Sequence, residues 1–176
     1  MIRDADSVSS LKHEISLNRD FVSLDEEVFL AFVYTWQRFL RLGSVFFQRY
    51  GISDAQFNVL MILWDYRNRA LHQHELAEII LVNRASIGAL IDRMTATGLV
   101  ERMQDPEDRR ANYVRITTKG AALLKKVKTP YYSNLFQVFA GFSTEHKKAL
   151  LDYFARFRRN IQRLAAQRKP MPVKET

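Results

Sequence analysis

The chain contains no cysteine among its 176 residues. Disulfide bonds, thiolate nucleophiles, cysteine-based zinc sites and thiol redox sensing are therefore excluded. It also has no apolar run near the ~20 residues that a membrane-spanning helix needs, and its N-terminus MIRDADSVSS lacks the apolar segment of a secretory signal. We therefore expect a cytoplasmic protein that does not enter a membrane.

Motifs typical of enzymes are missing as well. The sequence has no phosphate-binding Gly-rich loop, nucleophile elbow, zinc signature or recognisable acid–base pair. His72 and His74 suggest a metal site, but no acidic or histidine cluster at ligand spacing surrounds them. They are interpreted as a helix cap or a surface feature. No enzymatic activity, metal or cofactor is predicted.

Acidic residues are in the minority. Asp and Glu number 19 against 27 Lys and Arg, which gives a net charge of +8. A positive balance of this size favours a polyanionic partner, although it does not distinguish nucleic acid from an anionic membrane surface. Hydrophobic residues make up 47% of the chain, enough for a packed core.

Hydrophobic periodicity predicts mainly helices. Ser23 and Glu26 fit a capping box that opens a long helix ending at Gly51. Ser53 and Gln56 fit a second capping box, which opens the first of three shorter helices. These three helices are predicted at about 53–66, 73–80 and 83–97.

The pattern changes after the third short helix. Segments 99–103 and 113–117 are predicted strands on either side of the charged turn DPEDRRAN, and together they form a hairpin. Two long helices follow at about 118–142 and 144–167, the second capped by Ser143.

Three short helices followed by a charged hairpin are the element order of a winged helix-turn-helix. The last short helix can enter the major groove of DNA, and the hairpin can reach the neighbouring minor groove or backbone. The predicted fold is therefore mainly α with a small β-hairpin wing, a winged helix-turn-helix flanked by long dimerisation helices. Its parts are an N-terminal extension (1–22), a dimerisation helix (23–52), the DNA-binding module (53–117), C-terminal dimerisation helices (118–167) and a disordered tail (168–176).

Residues 83–120 resemble the recognition helix and wing of the multiple-antibiotic-resistance regulator (MarR) family, and a looser resemblance covers about 24–167. The matching pieces are LIDRM, TGLVER, DPEDRR and RITTKG. The resemblance implies a homodimer that binds double-stranded DNA. It also implies that Arg110 probes the minor groove, that Asp108 orients it by an ion pair, and that the adjacent Arg109 contacts a phosphate. Outside this motif, such an arginine pair would be an ordinary solvated hairpin tip.

The resemblance assigns the first turn of the recognition helix to base edges and phosphates. That turn supplies Arg84, Ala85 and Ser86. Arg93 is expected to pair with an acid or touch a phosphate rather than read a base. Gly88 and Ala89 stand where relatives often carry polar or basic side chains. Close approach of the backbone to DNA and simple loss of a contact both explain this departure.

The resemblance also implies a cleft between the dimerisation helices and the winged module, where a small ligand alters the spacing of the two recognition helices. The candidate lining is large and apolar with one hydroxyl, namely Trp36, Phe39, Phe57, Met61 and Tyr131. We expect an aromatic or otherwise lipophilic effector, anionic given the net charge. The alternative is that these side chains only fill the core and dimer contacts.

The sequence thus predicts a sequence-specific transcriptional regulator, a repressor in the preferred interpretation, that binds a pseudo-palindromic operator as a homodimer. The alternative is a nonspecific architectural DNA-binding protein, which the positive charge and the few polar groups on the recognition helix allow.

Overall fold

The computed structural model describes residues 11–69, 71–80, 84–104 and 112–167, with only the backbone described at Arg84. The helices of eight or more residues are α1 (Leu24–Gln48), α2 (Asp54–Asp65), α3 (Gln73–Ile80), α4 (Arg84–Ala96), α5 (Thr118–Val138) and α6 (Thr144–Gln167). The strands are β1 (Leu71–His72), β2 (Val100–Gln104) and β3 (Asn112–Ile116). The predicted tail at 168–176 lies outside the described residues.

The start of α1 is capped differently from the prediction. Ser23 accepts a hydrogen bond from the Glu26 backbone N–H at 3.2 Å, as expected. The Glu26 carboxylate, however, accepts from the Val22 N–H at 2.6 Å and from Arg19 at 3.0 Å. The reciprocal half of the predicted capping box is therefore wrong, because the preceding segment folds back and takes the carboxylate. The Arg19 hydrogen bond and then the Val22 N–H lower the pKa of Glu26 to about 2.

The second capping box is confirmed. Ser53 accepts from the Gln56 N–H at 3.2 Å, and the Gln56 side chain accepts from the Ser53 N–H at 2.9 Å. Helix α2 then contributes Phe57, Val59, Leu60 and Leu63 to the core. Helix α3 has the predicted bounds and buries Leu76 and Ala77 against its neighbours. The core thus lies between α2, α3, α4 and the sheet.

The predicted two-stranded hairpin is joined by a third strand. The sheet order is β1-β3-β2, and both pairings are antiparallel. Leu71 of β1 pairs with Val114 of β3, and both side chains are buried. Sequence patterning missed β1 because two residues are too few to show strand alternation.

The last two helices differ in how closely they follow the prediction. Helix α5 ends at Val138 rather than Phe142, since residues 139–142 form turns and Gly141 adopts a φ of +83°. Ser143 caps α6 by accepting from the His146 N–H at 3.2 Å. The chain forms two compact units, one up to Val127 and one from Lys128 onward. Across the described ranges, no helix combines the length and apolarity needed to cross a membrane.

Candidate nucleic-acid interface

Helix α4, the predicted recognition helix, has two distinct faces. Its inner face is buried and consists of Ile87, Leu90, Ile91 and Met94. Its outer face is exposed and includes Ala85, Ser86, Ala89, Asp92 and Arg93. Arg84 begins the helix, although its side chain lies outside the described atoms. The outer face is therefore a surface of small side chains followed by two residues of opposite charge, Asp92 and Arg93.

The C-terminal end of α4 is tied to the start of α5. Gly98 adopts a φ of +70°, which an L side chain rarely tolerates, and ends the helix. Lys119 donates from Nζ to the Thr97 carbonyl at 2.7 Å. The Thr117 hydroxyl lies 2.7 Å from the Gly98 carbonyl oxygen and accepts the Gly120 N–H at 3.0 Å. These bonds hold the C-terminal end of α4 against the first turn of α5.

Gly120 is required at this junction by close packing. A Cβ built on it would lie 2.1 Å from the Leu99 carbonyl oxygen and 3.1 Å from Leu60 Cδ2. The first turn of α5 thus lies directly against the backbone between α4 and β2. This contact gives a physical reason for the glycine in RITTKG, one of the pieces in which the sequence resembles the MarR family.

A charged cluster that sequence reasoning missed connects α4 to β2 and α3. Arg102 Nη2 lies 2.8 Å from Asp92 Oδ1 and donates to Gln73 Oε1 at 3.1 Å. The Arg102 side chain is 30% exposed and that of Asp92 is 64% exposed. No local sequence pattern predicts this cluster, because its members lie on three elements that only the tertiary structure brings together.

The two histidines lie side by side where β1 leads into α3. His72 belongs to β1, and its ring stacks on Tyr113 at 4.1 Å and on His74 at 5.1 Å between centroids. The backbone N–H of His72 donates to the Glu75 carboxylate at 2.7 Å. Burial raises the pKa of Glu75, but hydrogen bonds from His72 and Arg69 outweigh it and hold that pKa below its usual value. Within the described ranges, no group of three or more His, Asp or Glu side chains is placed to hold a metal.

The predicted wing-tip residues Asp108, Arg109 and Arg110 lie outside the described residues. Their strands are described up to the pair Gln104 and Asn112. The structure therefore shows the paired strands β2 and β3 of the wing. The roles of the three tip residues stay sequence-based predictions.

The predicted ligand-binding residues are found in different surroundings. Trp36 and Phe39 stack on α1 with centroids 5.7 Å apart, and Trp36 is 48% exposed. Phe57 is only 1% exposed and packs on Phe47 at 4.8 Å between centroids, as a core residue does. Met61 is half-buried on α2.

The fifth predicted ligand-binding residue, Tyr131, belongs to the second unit, where its ring lies 5.3 Å from that of Tyr132 between centroids. Burial, and secondarily the neighbouring Tyr132, raises the pKa of Tyr131.

An open cleft of about 370 Å³ lies elsewhere in the first unit. It is lined by Tyr50, Gly51, Ile52, Gln56, Thr97, Leu99, Lys119 and Leu123. None of the predicted ligand-binding residues contributes to it, so this cleft is not the predicted site.

Comparison with known proteins agrees with this architecture. The model of the MarR family matches residues 52–111, which span α2 to the wing. The chain is also 31% identical over 134 residues to the HTH-type transcriptional repressor YetL of Bacillus subtilis, a match that covers 74% of this chain and 80% of YetL. This chain belongs to the MarR family. It is accordingly a transcriptional regulator and not an enzyme.

Two solved structures are similar to this MarR-family chain. One is a mutant of MarR from E. coli complexed with operator DNA, at 26% identity and a TM-score of 0.63, covering 76% of this chain and 96% of MarR. The other is a MepR-like protein complexed with pseudoligands, at 27% identity and a TM-score of 0.60. This match covers 80% of this chain and 97% of the MepR-like protein. The predicted winged helix-turn-helix fold is confirmed.

Proposed function

We propose that this MarR-family chain is a repressor that binds a specific operator through α4 and the wing. The observation that carries the proposal is the division of α4 into a buried apolar face and an exposed face with small and polar side chains. A helix presented in this way fits the major groove, which is wide enough for one helix. The similarity to YetL, a repressor, and to MarR bound to operator DNA supports the same function.

The proposed repressor acts as a homodimer. In the first unit, α1 leaves large apolar side chains 45–62% exposed, namely Leu24, Val28, Phe29, Phe32, Leu42 and Val45. In the second unit, α6 buries none of its residues and exposes Leu151, Phe154, Phe157, Ile161 and Leu164. Burying one such side chain contributes roughly 1.5–3 kcal/mol, so a second copy that covers both faces is strongly favoured.

Light scattering at micromolar concentration tests the homodimer. We expect twice the monomer mass. A folded monomer at that concentration would contradict the proposal.

A two-fold dimer presents two recognition helices, so the operator should be pseudo-palindromic with half-sites about one helical turn, roughly 34 Å, apart. Arg110 is proposed to contact the minor groove and Ser86 to face base edges. Arg110→Ala should then weaken binding to all sequences more evenly than Ser86→Ala, because a wing contact carries less base information. Unchanged DNA affinity of Arg110→Ala at physiological salt would rule out the assigned role of the wing tip.

Selection of bound fragments from genomic DNA, followed by footprinting, tests specificity and site symmetry together. We expect a recurrent pseudo-palindrome that is protected in both half-sites. Fragments without a common sequence would instead identify a nonspecific architectural protein, a function consistent with the small outward residues Ala85 and Ala89.

The proposed repressor is released by a small aromatic or lipophilic ligand that contacts Trp36, Phe39, Phe57 and Met61. The exposed ring of Trp36 and the half-buried side chains of Phe39 and Met61 offer apolar contact area. Because Phe57 is buried, ligand contact there requires the core beside Phe47 to open. A ligand that prefers a different spacing of the recognition helices weakens DNA binding by its difference in affinity for the two states.

Gel-shift assays with phenolic and aryl carboxylic compounds test this release. We expect at least one compound to dissociate the complex and a Trp36→Ala variant to lose that response. A complex that no compound dissociates would contradict ligand control.

A further inference from the structure

The Arg102 cluster joins three elements of the DNA-binding module, namely β2, α4 and α3. Arg102 lies on β2, which leads into the wing, Asp92 on the exposed face of α4, and Gln73 on the first turn of α3. One guanidinium nitrogen, Nη2, lies 2.8 Å from the Asp92 carboxylate and 3.1 Å from the Gln73 amide oxygen. A planar guanidinium holds its donors in a rigid fork, so it constrains the direction as well as the distance of its partners.

Gly88 lies beside the Gln73 amide of this cluster. A Cβ at Gly88 would lie 3.4 Å from Gln73 Nε2, so the Gln73 amide rests against the α4 backbone where a larger side chain would project. The same amide offers its oxygen to Arg102. Alanine would therefore fit at position 88, whereas a longer side chain would compete with the Gln73 amide for this space.

The position of the Asp92–Arg102 pair indicates what it contributes. Exposed ion pairs add little to global stability, typically less than about 1 kcal/mol. Asp92 follows the buried Ile91 on α4 and precedes Arg93 on the outer face. A restraint at this point acts on the orientation of α4 relative to β2, which determines where the outer face meets DNA.

We propose that Arg102 is a positioning residue for DNA recognition, which sets the orientation of α4 by holding Asp92 and Gln73 together. This inference rests on the proposed sequence-specific function. Arg102 acts through α4 and does not itself contact a base. It aligns α4 with the wing, so that both reach their contacts at the same time.

Two variants and two matched controls test the proposal. Asp92→Asn removes a negative charge, and Arg102→Met removes a positive charge while keeping the apolar stem. Glu101→Gln and Arg115→Met make the same charge changes on exposed neighbouring positions of β2 and β3. For each full-length protein, the ratio of affinities for a selected operator and for a shuffled sequence is measured at one salt concentration, together with amide hydrogen exchange in residues 84–96.

We expect Asp92→Asn and Arg102→Met to lower the affinity ratio about tenfold, the effect of misplacing one base contact. Both should speed exchange in α4, whereas the two controls change neither quantity. Asp92→Asn is the sharper test, because losing a negative charge alone should strengthen binding to every sequence.

An affinity ratio that falls equally in variants and controls would overturn the proposal, as would unchanged exchange in α4. If the wild-type protein itself shows a ratio near one, the proposed sequence-specific function fails instead. Hydrogen exchange alone then tests whether Arg102 positions α4. Faster exchange in Asp92→Asn and Arg102→Met would support this role, and unchanged exchange would refute it.

Discussion

Replacing Gly120 with alanine should strongly destabilise the DNA-binding module, although alanine is the better helix former. Gly120 is buried in the first turn of α5. The added Cβ would lie 2.1 Å from the Leu99 carbonyl oxygen, far inside an ordinary van der Waals contact. That oxygen already accepts the Thr117 N–H at 3.2 Å and lies 3.1 Å from the Thr117 hydroxyl. The clash cannot be relieved without disturbing these contacts.

The magnitude follows from three contributions. Overpacking of a close-packed site costs about 1–3 kcal/mol, and disturbing buried hydrogen bonds costs roughly 1 kcal/mol each. The higher helix propensity of alanine offsets about 1 kcal/mol of this destabilisation. We therefore expect Gly120→Ala to lower the free energy of unfolding by about 2–4 kcal/mol. For a chain of this length that corresponds to a fall in Tm of about 5–15 °C.

Thermal unfolding followed by circular dichroism measures this effect, with all proteins at the same protomer concentration. Gly88→Ala is the matched control, since it makes the same chemical change inside α4. Its Cβ would meet only the movable end of the Gln73 side chain, at 3.4 Å. The control should unfold at the wild-type temperature or slightly above it.

A Tm of Gly120→Ala equal to that of the wild type would refute the packing argument. So would an equal loss in Gly88→Ala, because the effect would then not depend on the Leu99 carbonyl.

Two further predictions concern the caps and the N-terminal segment. Ser53→Ala removes the Ser53 hydroxyl that accepts the Gln56 N–H at the start of α2 and keeps the Ser53 N–H that donates to Gln56. We expect a loss of about 1 kcal/mol in chemical denaturation; an unchanged midpoint would show that water replaces the cap. Because the folded-state pKa of Glu26 is about 2 against an ordinary 4.5, its contribution to stability is present above pH ~4.5 and is lost as the pH falls toward 2. The Tm difference between the wild type and Glu26→Gln should therefore shrink over this range, and a constant difference would argue against the Arg19 pair.

Much of the architecture was predictable because its signals are local. The Ser53 capping box, the bounds of α3 and the glycine end of α4 depend on residues within one or two helical turns of each other. The inner face of α4 follows from helical periodicity, so the candidate recognition surface could be located as well. Local signals misled at Glu26, where a nearby arginine and a backbone N–H outside the helix compete for the same carboxylate.

The sequence by itself therefore determined the order of the helices, the winged helix-turn-helix and the face of α4 that meets solvent. Only the tertiary structure decided which distant groups share a contact. Strand β1 exists because β3 is there to pair with it, and Arg102 reaches Gln73 across 29 positions of sequence. Gly120 is required because the Leu99 carbonyl lies against it. Periodicity and capping act over a few residues, whereas pairing, ion pairs and close packing depend on where the folded backbone brings residues together.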